Sequence, residues 1–363
     1  MADLTVEICG LRLRNPVLPA AGPPVRDGVA LLACAEGGAG ALVTKTISTR
    51  AATPPLPNMA EIPHGMVNTE LWSELPPEQW LDHEYAIART AGLPLVVSMG
   101  YTPDEIAELA PKVRPFADAV ELSTHYIGDD PAPMVGAIRA AKDALDVPVF
   151  VKLSPHGQDM GHAARLAADA GADGIAAINS FGPVLSIDIE TAEPRLGGPN
   201  GYGWLSGPAI KPLAIRCVRE IARAVPLPVI GVGGVARGTD VVEFLMAGAS
   251  AVQVCTAAII RGPGIFGRIA AELDEWLTAH GHASASAIQG MALTKAFPEV
   301  PLPPFIDADA CNDCALCLTS CVYGAIHVVD GRVALEGERC SRCGLCVTRC
   351  RRDAIRWPAL SGS

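Results

Sequence analysis

The sequence lacks the features by which proteins enter membranes or bind nucleic acids. Its 363 residues contain no apolar run of about 18 residues, and the start, MADLTVEICG, has no basic segment followed by an apolar stretch, so we expect neither a membrane span nor a secretion signal. The formal net charge is −11 and no basic stripe is visible in the first 300 residues, which argues against a nucleic-acid partner. These absences predict a cytoplasmic protein.

Cysteine is sparse through most of the chain. Of the 12 cysteines, only four lie outside two short blocks near the C-terminus. These four stand in apolar surroundings, where a reduced thiol packs as a small hydrophobic group. Disulfide bonds are therefore not expected. The four isolated cysteines are Cys9, Cys34, Cys217 and Cys255.

Eight short apolar runs alternate with stretches of helical periodicity. Apolar residues recur every three or four positions in DEIAELAPKV, APMVGAIRAAKDAL, GHAARLAADA and GTDVVEFLMAG, as amphipathic helices require. Eight strands alternating with helices predict an α/β protein with a parallel (β/α)8 TIM barrel. A doubly wound open sheet is the alternative. The runs are NPVLPA from Asn15, ALVTKT from Ala41, LPLVVS from Leu93, ADAVEL from Ala117, VPVFVK from Val147, DGIAAI from Asp173, LPVIGV from Leu227 and SAVQVC from Ser250.

Two connections between the predicted strands are about twice as long as the others. They run from Ile47 to Gly92 and from Ser180 to Pro226. Loops that follow barrel strands lie at the C-terminal face, where active sites are built, so we expect these residues to cover a ligand. The opening segment LTVEICGLRLRNP predicts a hairpin that turns at Gly10 and closes the other end of the barrel.

The chain changes character after the last predicted helix. The small-residue stretch GHASASA and the proline-rich run PEVPLPP are typical of a linker. We therefore predict a barrel over residues 1–280, a linker over 281–305 and a second, small domain over 306–358.

The second domain contains the same cysteine spacing twice. Each block reads C-x2-C-x2-C-x3-C, and three thiolates at this spacing fit a [4Fe-4S] cubane whose fourth ligand comes from the other block. Zinc, which also binds C-x2-C pairs, is the alternative. One cluster is assigned to Cys311, Cys314, Cys317 and Cys350, and the other to Cys340, Cys343, Cys346 and Cys321.

This region resembles the bacterial two-cluster ferredoxins over nearly all of its length, including the GAI and DAI segments that follow the blocks. Val322 and Arg351 stand where that family usually has proline. The resemblance implies a ferredoxin-like α+β domain whose two clusters carry single electrons. Such a chain of clusters needs a group that converts single electrons into pairs, and a flavin in the barrel would do this.

Seven motifs lie at or near the ends of the predicted barrel strands: NPVLPAAG, VTKTIS, VNTELWSELPPEQW, VKLSP, WLSGPAIKPLA, GVGGV and AVQVCTA. Through them the barrel resembles the FMN-binding dihydroorotate dehydrogenase family, and above all its dihydropyrimidine dehydrogenase-like members with a C-terminal ferredoxin domain. The resemblance implies a flavin-dependent oxidoreductase of the CH-CH class that uses FMN and two [4Fe-4S] clusters. It also implies electron exchange with a ferredoxin or an NAD(P)H-oxidising flavoprotein subunit, in a homodimer or hetero-oligomer.

Several residues of these motifs suit a flavin. The small residues from Ala20 to Gly22 let backbone N–H groups approach the isoalloxazine edge. Lys45 and Lys152 end predicted strands two and five, where a cation would stabilise negative charge near N1 and O2 of reduced flavin, although a lysine at a strand end is often merely exposed. The expected cofactor-binding residues are Ala20, Ala21, Gly22, Thr44, Lys45, Ser98, Lys152, Gly207, Gly233, Gly234, Cys255 and Thr256.

The glycines of GVGGVARG predict a phosphate site. Gly233 and Gly234, with Cys255 and Thr256 after strand eight, fit the anion site that barrels form after strands seven and eight. Their spacing is not G-x-G-x-x-G and no separate Rossmann unit follows. The chain is therefore not expected to oxidise NAD(P)H by itself.

The substrate side combines matches to the family with one departure. Asparagines and hydroxyls hold the substrate in that family, and the loop after strand four reads E-L-N-L-S-C-P in pyrimidine-reducing members. Here it reads ELSTHYI, so the substrate asparagine becomes a serine. The expected substrate-binding residues are Asn68, Ser123, Asn179 and Ser180.

The same loop carries the expected catalytic residues. Reduction of a polarised C=C bond needs a general acid facing the substrate. Tyr126 stands at the position of the family's cysteine, and with an ordinary pKa of about 10 it stays protonated at neutral pH. His125, with an ordinary pKa of about 6.5, is the competing candidate. Alternatively, both side chains only pack in the loop. The changed loop argues against uracil and dihydroorotate as substrates.

Three functions remain in view. The leading one is an FMN and iron-sulfur oxidoreductase of a small polar substrate, cyclic or with a conjugated carbonyl. The second is a non-catalytic electron-transfer subunit, and the third, a flavin-dependent RNA-uridine reductase, is disfavoured by the acidic charge. A basic patch would dock an acidic electron donor, or is only a solvated face. It consists of Arg349, Arg351, Arg352 and Arg356.

Overall fold

The computed structural model describes residues 1–124, 130–155, 159–295 and 299–358. The chain divides into two compact units, Met1–Lys295 and Ala296–Ser363. Within the described ranges, no helix has the length and apolar character needed to cross a membrane.

The first unit is a (β/α)8 barrel with additional strands. Eight of its strands are parallel, and all eight come from the apolar runs predicted as barrel strands. In chain order the strands are β1 (Val6–Ile8), β2 (Leu11–Leu13), β3 (Val17–Pro19), β4 (Leu42–Val43), β5 (Met59–Ile62), β6 (Gly65–Asn68), β7 (Leu95–Met99), β8 (Ala119–Ser123), β9 (Val149–Leu153), β10 (Gly174–Ala177), β11 (Phe181–Val184), β12 (Ile187–Asp188), β13 (Glu193–Pro194), β14 (Gly203–Ser206), β15 (Val229–Val232) and β16 (Ala251–Val254).

The parallel strands are hydrogen-bonded in the order β3, β16, β15, β10, β9, β8, β7, β4. Strands β3 and β4 are the two ends of this order and are not paired with each other. Gly40, just before β4, donates a backbone hydrogen bond of 2.8 Å to Val17 O in β3. Strands β7, β8 and β9 are buried at every position, as expected for strands covered by helices outside and by the barrel interior inside. The predicted barrel is confirmed.

The helices surround these strands, and α4 shows how one of them is specified. Thr102 accepts a hydrogen bond from Glu105 N, Glu105 bonds back to the Thr102 backbone, and Pro103 occupies the first turn, a combination that fixes a helix start. The helices are α1 (Gly28–Glu36), α2 (Pro77–Gln79), α3 (Tyr85–Arg89), α4 (Pro103–Val113), α5 (Ala132–Ala144), α6 (Met160–Asp169), α7 (Lys211–Ala224), α8 (Gly238–Met246), α9 (Thr256–Arg261) and α10 (Ile265–Ala279).

The two long connections contribute to one further sheet. Strands β5 and β6 come from the connection after β4, and β11 and β14 come from the connection after β10. They pair antiparallel in the order β11, β14, β6, β5. The two insertions therefore meet, and together they form a second layer on the barrel.

The N-terminal hairpin lies at the opposite end of the barrel, as predicted. Strands β1 and β2 pair antiparallel, and both turn residues, Cys9 (φ 50°) and Gly10 (φ 79°), are left-handed, as a tight hairpin turn requires. The Cys9 thiol donates to Asp173 O at 3.4 Å, and Asp173 immediately precedes β10. The segment 281–305 is shared between the units, and within it Ala285 and Ile288 are fully buried.

The second unit has the two-fold internal repeat of a small α+β ferredoxin-like fold. Each cysteine block contains a short helix before its fourth cysteine and is followed by a strand. The elements are β17 (Phe305–Ile306), α11 (Leu316–Ser320), β18 (Ile326–Val329), β19 (Arg332–Leu335), α12 (Leu345–Arg349) and β20 (Ile355–Arg356). Strand β17 pairs with β20 and β18 with β19, both antiparallel.

Candidate active site and cluster sites

A cavity lies at the carboxyl ends of the barrel strands. The ends of all eight strands contribute lining residues, and β6 and β14 of the additional sheet contribute Asn68 and Trp204. The long connections therefore form part of the cavity wall.

Most of the residues predicted for the cofactor and the substrate meet in this cavity. Thr44 and Ser98 do not line it: both are fully buried, and Ser98 N donates to Thr44 Oγ1 at 3.0 Å. They support the wall from behind rather than touch a ligand. Tyr126 and His125 lie outside the described residues. The predicted residues that line the cavity are Ala20, Ala21, Gly22, Lys45, Asn68, Ser123, Lys152, Asn179, Ser180, Gly207, Gly233, Gly234, Cys255 and Thr256.

One end of the cavity offers backbone amides and hydroxyls to an anion. Gly233 (φ 124°) and Gly234 (φ 81°) are consecutive left-handed residues, a conformation that side chains disfavour and that exposes successive N–H groups. Thr256 lines the same cavity, and its hydroxyl donates to Ser206 Oγ at 2.9 Å. This end suits the phosphate of FMN.

Lys45 is neutralised by carboxylates. Its side chain is 2% exposed, and Nζ lies 2.5 Å from Glu70 Oε2 and 3.5 Å from Glu74 Oε2. The Glu70 carboxylate also accepts from Asn58 Nδ2 at 2.6 Å, and Glu70 N donates to Asn68 Oδ1 at 3.2 Å. Lys45 reaches the cavity as predicted, but it presents an ion pair there rather than a lone cation.

Lys152 belongs to a second buried network. Its Nζ donates to Gln253 Oε1 at 3.0 Å and to Glu121 Oε1 at 3.3 Å, and Gln253 Nε2 donates to Glu121 Oε2. Lys152 and Gln253 line the cavity. Glu121 is fully buried behind them.

Tyr101 and Cys255 also line the cavity, and both keep their protons at neutral pH. Burial, with a smaller contribution from Glu105, raises the pKa of Tyr101 well above its usual range, and the ring packs edge-on against Trp72 with centroids 5.3 Å apart. Burial also raises the pKa of Cys255 to about 11, although Lys152 and Lys45 oppose this. At neutral pH the wall therefore presents a phenol and a thiol.

Sequence reasoning missed Glu70, Glu121, Gln253 and Tyr101. For two of them a signal was available: Glu121 and Gln253 are polar residues inside the otherwise apolar strand runs ADAVEL and SAVQVC. A charged residue in a fully buried strand must be paired, and inward-facing Lys152 was the available partner. Glu70 lies two residues after Asn68 in the same motif, and only the fold shows that it reaches Lys45.

The eight cysteines of the second unit surround two cavities of nearly equal volume. One, of about 340 Å3, is lined by Cys311, Cys314, Cys317 and Cys350, and the other, of about 350 Å3, by Cys321, Cys340, Cys343 and Cys346. These are the two predicted ligand sets. Among the described residues no group of three or more His, Cys, Asp or Glu is arranged to hold a single metal ion. Thiols around a space rather than a point suit a cubane better than zinc.

Backbone N–H groups point at four of these sulfurs with the same pattern in both blocks. The Sγ of the first cysteine accepts from the backbone N–H of the residue two positions later. The Sγ of the fourth cysteine accepts from the backbone N–H of the residue four positions later. Such hydrogen bonds stabilise thiolates and tune cluster potentials. The donors and acceptors are Asp313 N to Cys311 (3.4 Å), Ala325 N to Cys321 (3.3 Å), Arg342 N to Cys340 (3.4 Å) and Ala354 N to Cys350 (3.3 Å).

Comparison with known proteins matches both units. A family model described as dihydroorotate dehydrogenase matches residues 3–277, and one described as a 4Fe-4S dicluster domain matches residues 303–351. The chain is similar to proteins named dihydroorotate dehydrogenase B (NAD(+)), catalytic subunit. Identity is 39% to that of Methanothermobacter thermautotrophicus (80% of this chain, 98% of the relative), 38% to that of Geobacter sulfurreducens (79% and 97%) and 36% to that of Thermococcus kodakarensis (81% and 99%).

Proposed function

Because the chain belongs to the dihydroorotate dehydrogenase family, we propose that it is an FMN and iron-sulfur oxidoreductase acting on a CH-CH/C=C bond. Its substrate is a small, neutral compound that carries carbonyl and N–H groups. The observation that carries this proposal is that most of the predicted cofactor and substrate residues meet in one cavity. Two [4Fe-4S] clusters in the second unit exchange electrons with an external protein.

The cavity residues divide the work of holding FMN and substrate. The amides of Gly233 and Gly234 and the Thr256 hydroxyl hold the phosphate, and Ala20 to Gly22 form a backbone edge free of large side chains. When bound, FMN supplies hydride chemistry toward the substrate and single-electron exchange toward the clusters. Lys152 places a buried positive charge in the same wall.

The charges of the wall favour a neutral substrate. Lys45 is paired with Glu70 and Glu74, and Lys152 is paired with Glu121. A carboxylate ligand would therefore find no unpaired lysine in the described wall and would meet Glu70 instead. Glu70 is suited to accept an N–H hydrogen bond from a ligand. The relatives are named for dihydroorotate, which carries a carboxylate, and this chain is proposed to differ from them in substrate.

The amides and hydroxyls hold the substrate's polar edge. Asn68 Nδ2 donates to Trp204 O at 3.1 Å, which leaves part of its bonding capacity for a ligand. Ser123, Asn179 and Ser180 line the same wall. The proton that completes reduction is assigned to the Tyr126 hydroxyl, with His125 as the competing donor. Among the described residues, Tyr101 contributes a phenol to the cavity wall.

The second unit connects the barrel to an electron partner. The relatives are named as catalytic subunits, which supports a separate protein as the source or acceptor of electrons. The exposed side chains of Arg349, Arg351, Arg352 and Arg356 offer a basic surface for an acidic partner on an otherwise acidic protein.

The test is an anaerobic titration of the FMN-loaded, dithionite-reduced protein with pyrimidines, enones and enoyl compounds, each in a neutral and a carboxylated form. Rapid flavin reoxidation by a neutral compound, with slow reoxidation by its carboxylated form, is the expected result. Silence across the panel, with rapid oxidation by ferredoxin, would identify an electron-transfer subunit instead. Reoxidation by orotate alone would overturn the proposed substrate class.

A further inference from the structure

We propose that Glu121 is a positioning residue that sets the reduction potential of the bound flavin through Lys152; this inference rests on the proposed function. Glu121 is fully buried and is not part of the cavity wall. It can therefore act on a ligand only through the residues it contacts. Those residues, Lys152 and Gln253, both line the cavity.

The side chains of Glu121, Lys152 and Gln253 form a closed ring of three hydrogen bonds inside the barrel. Glu121 lies on β8 and Lys152 on the adjacent strand β9, whereas Gln253 lies on β16, three strands beyond β9 in the sheet order. Contacts between side chains of non-adjacent strands require that all three point into the barrel. The ring thus ties the β8–β9 side of the barrel to the β16 side, directly beneath the cavity wall.

The ring fixes where the Lys152 charge lies. An ammonium group has three N–H donors, and two are used toward Glu121 Oε1 and Gln253 Oε1. Gln253 in turn donates to the other Glu121 oxygen, so both carboxylate oxygens are engaged. No other described residue takes up the third N–H of Lys152, which is therefore left for a ligand in the cavity.

The ring also sets how much positive charge a ligand experiences. Reduction of a flavin adds negative charge, which a neighbouring cation stabilises. Water and salt screen buried charges poorly, so a carboxylate 3.3 Å from the Lys152 ammonium offsets much of its effect. Glu121 therefore keeps the reduction potential of the flavin lower than Lys152 alone would make it.

The sign of the expected change follows from this offset. Glu121→Gln keeps the shape and the hydrogen-bonding capacity but removes the negative charge, so it raises the potential. We expect reduced FMN to gain about tenfold in affinity relative to oxidised FMN, equivalent to about 30 mV for a two-electron couple. Glu121→Asp keeps the negative charge but places it farther from Lys152, because aspartate is one methylene shorter. It should therefore raise the reduction potential of the flavin by less. Glu121→Gln combined with Lys152→Gln removes both charges and returns the potential toward that of the wild type.

The measurement is the flavin midpoint potential of the full-length protein, from anaerobic titration against reference dyes, with the spectrum of the FMN-depleted protein subtracted. The matched control is Glu108→Gln, which removes a carboxylate from an exposed pair with Lys112 at 2.8 Å and should leave the potential unchanged. The expected order is wild type below Glu121→Asp below Glu121→Gln.

Each result decides a different question. A wild-type protein that binds no FMN overturns the proposed function. Folded, FMN-loaded Glu121→Gln with an unchanged potential overturns the role of Glu121 alone. If Glu121→Gln does not fold because Lys152 is left unpaired, Glu121→Asp decides: a raised potential supports the role of Glu121, and a wild-type potential overturns it.

Discussion

The ammonium group of Lys45 and the carboxylate of Glu70 form an ion pair of 2.5 Å in the wall of the cavity. This pair leads to the first prediction, for Glu70→Gln. Because the substitution releases the Lys45 charge, we expect an anionic ligand such as orotate to bind about tenfold more tightly, or about 1.4 kcal/mol. A neutral N–H-bearing ligand should bind more weakly, because it loses a charged acceptor. Flavin absorbance changes on ligand titration give both dissociation constants.

Glu74→Gln is the matched control for this prediction. Glu74 lies farther from Lys45, at 3.5 Å, and its side chain is 43% exposed, so water already screens its charge. Its removal should change ligand selectivity much less. Equal effects of the two substitutions, or unchanged selectivity in Glu70→Gln, would show that the Lys45–Glu70 pair does not determine the charge preference of the site.

The second prediction concerns the exchange of cysteines between the two blocks. The intact protein should contain about eight iron atoms. If Cys321 completes the cluster of the second block, Cys321→Ala with Cys343→Ala removes two ligands of one cluster and leaves about four iron atoms. Cys321→Ala with Cys314→Ala removes one ligand from each cluster and leaves few iron atoms. Iron analysis and EPR of anaerobically purified protein measure this.

The opposite pattern would assign each block its own four cysteines. In that case Cys321→Ala with Cys314→Ala would retain about half of the iron. Cys321→Ala with Cys343→Ala would then damage both clusters and retain little iron. An intact protein with about two iron atoms or fewer would contradict both cubane assignments. The cavities support the exchange, because Cys321 lines one together with Cys340, Cys343 and Cys346.

Strand and cysteine patterns predicted the architecture because they depend on local rules. Each barrel strand is a short apolar run between turn residues, and eight such runs with helices between them permit few topologies. Likewise, the cysteine spacing that predicts a cluster is contained within eleven residues in each block. Most of the predicted site residues line the cavity for a related reason, since they lie at or near the ends of strands that must meet at one face.

The charge pairs could not be predicted in the same way. Glu121 and Gln253 lie 132 positions apart in the sequence, and no local pattern states that β8 and β16 face each other across the barrel. Thr44 and Ser98 do not line the cavity, for the converse reason. Position at a strand end suggested contact with a ligand, whereas they bond each other behind the wall. The contact of Glu121 with Gln253 across the barrel and the pairing of Lys45 with Glu70 are shown only by the three-dimensional structure.

The third prediction concerns a steric relationship between Gly22 and Cys255. A Cβ added at Gly22 would lie 2.8 Å from Cys255 Sγ, which is too close. Gly22 has φ 170°, an extended conformation open to any residue, so the sulfur is the obstacle rather than the backbone. Gly22→Ala should destabilise the barrel by about 1–3 kcal/mol. Cys255→Ala added to it should restore most of that loss, as measured by thermal unfolding of the full-length protein.

Cys255→Ala alone is the reference for this comparison. Together the three variants form a double-mutant cycle, and a clash predicts a coupling of the same size as the destabilisation it explains. Additive effects would show that Gly22 is required for another reason, such as close approach of the cofactor. FMN content of each variant, measured after gel filtration, separates these two explanations.

The last prediction is a pH dependence at Cys255. Burial raises its pKa from 9.0 to about 11. A group whose folded-state pKa is raised stabilises the fold below its unfolded-state pKa, so this contribution is present below pH 9 and is lost as the pH rises toward about 11. In FMN-depleted protein, alkylation of Cys255 by iodoacetamide should be slow near pH 8 and should accelerate steeply above about pH 10, since only the thiolate reacts. Mass spectrometry of the Cys255 peptide follows the reaction.

Lys152→Gln tests the cause of this profile. After burial, the Lys152 charge has the largest influence on the pKa of Cys255, and it lowers that pKa, so its removal should shift the alkylation profile to still higher pH. Lys112→Gln, which removes an exposed lysine paired with Glu108, should leave the profile in place. Rapid alkylation of Cys255 near pH 8 in the wild type would mean that the thiol is accessible and ionised, and therefore that it does not form the neutral wall of the cavity.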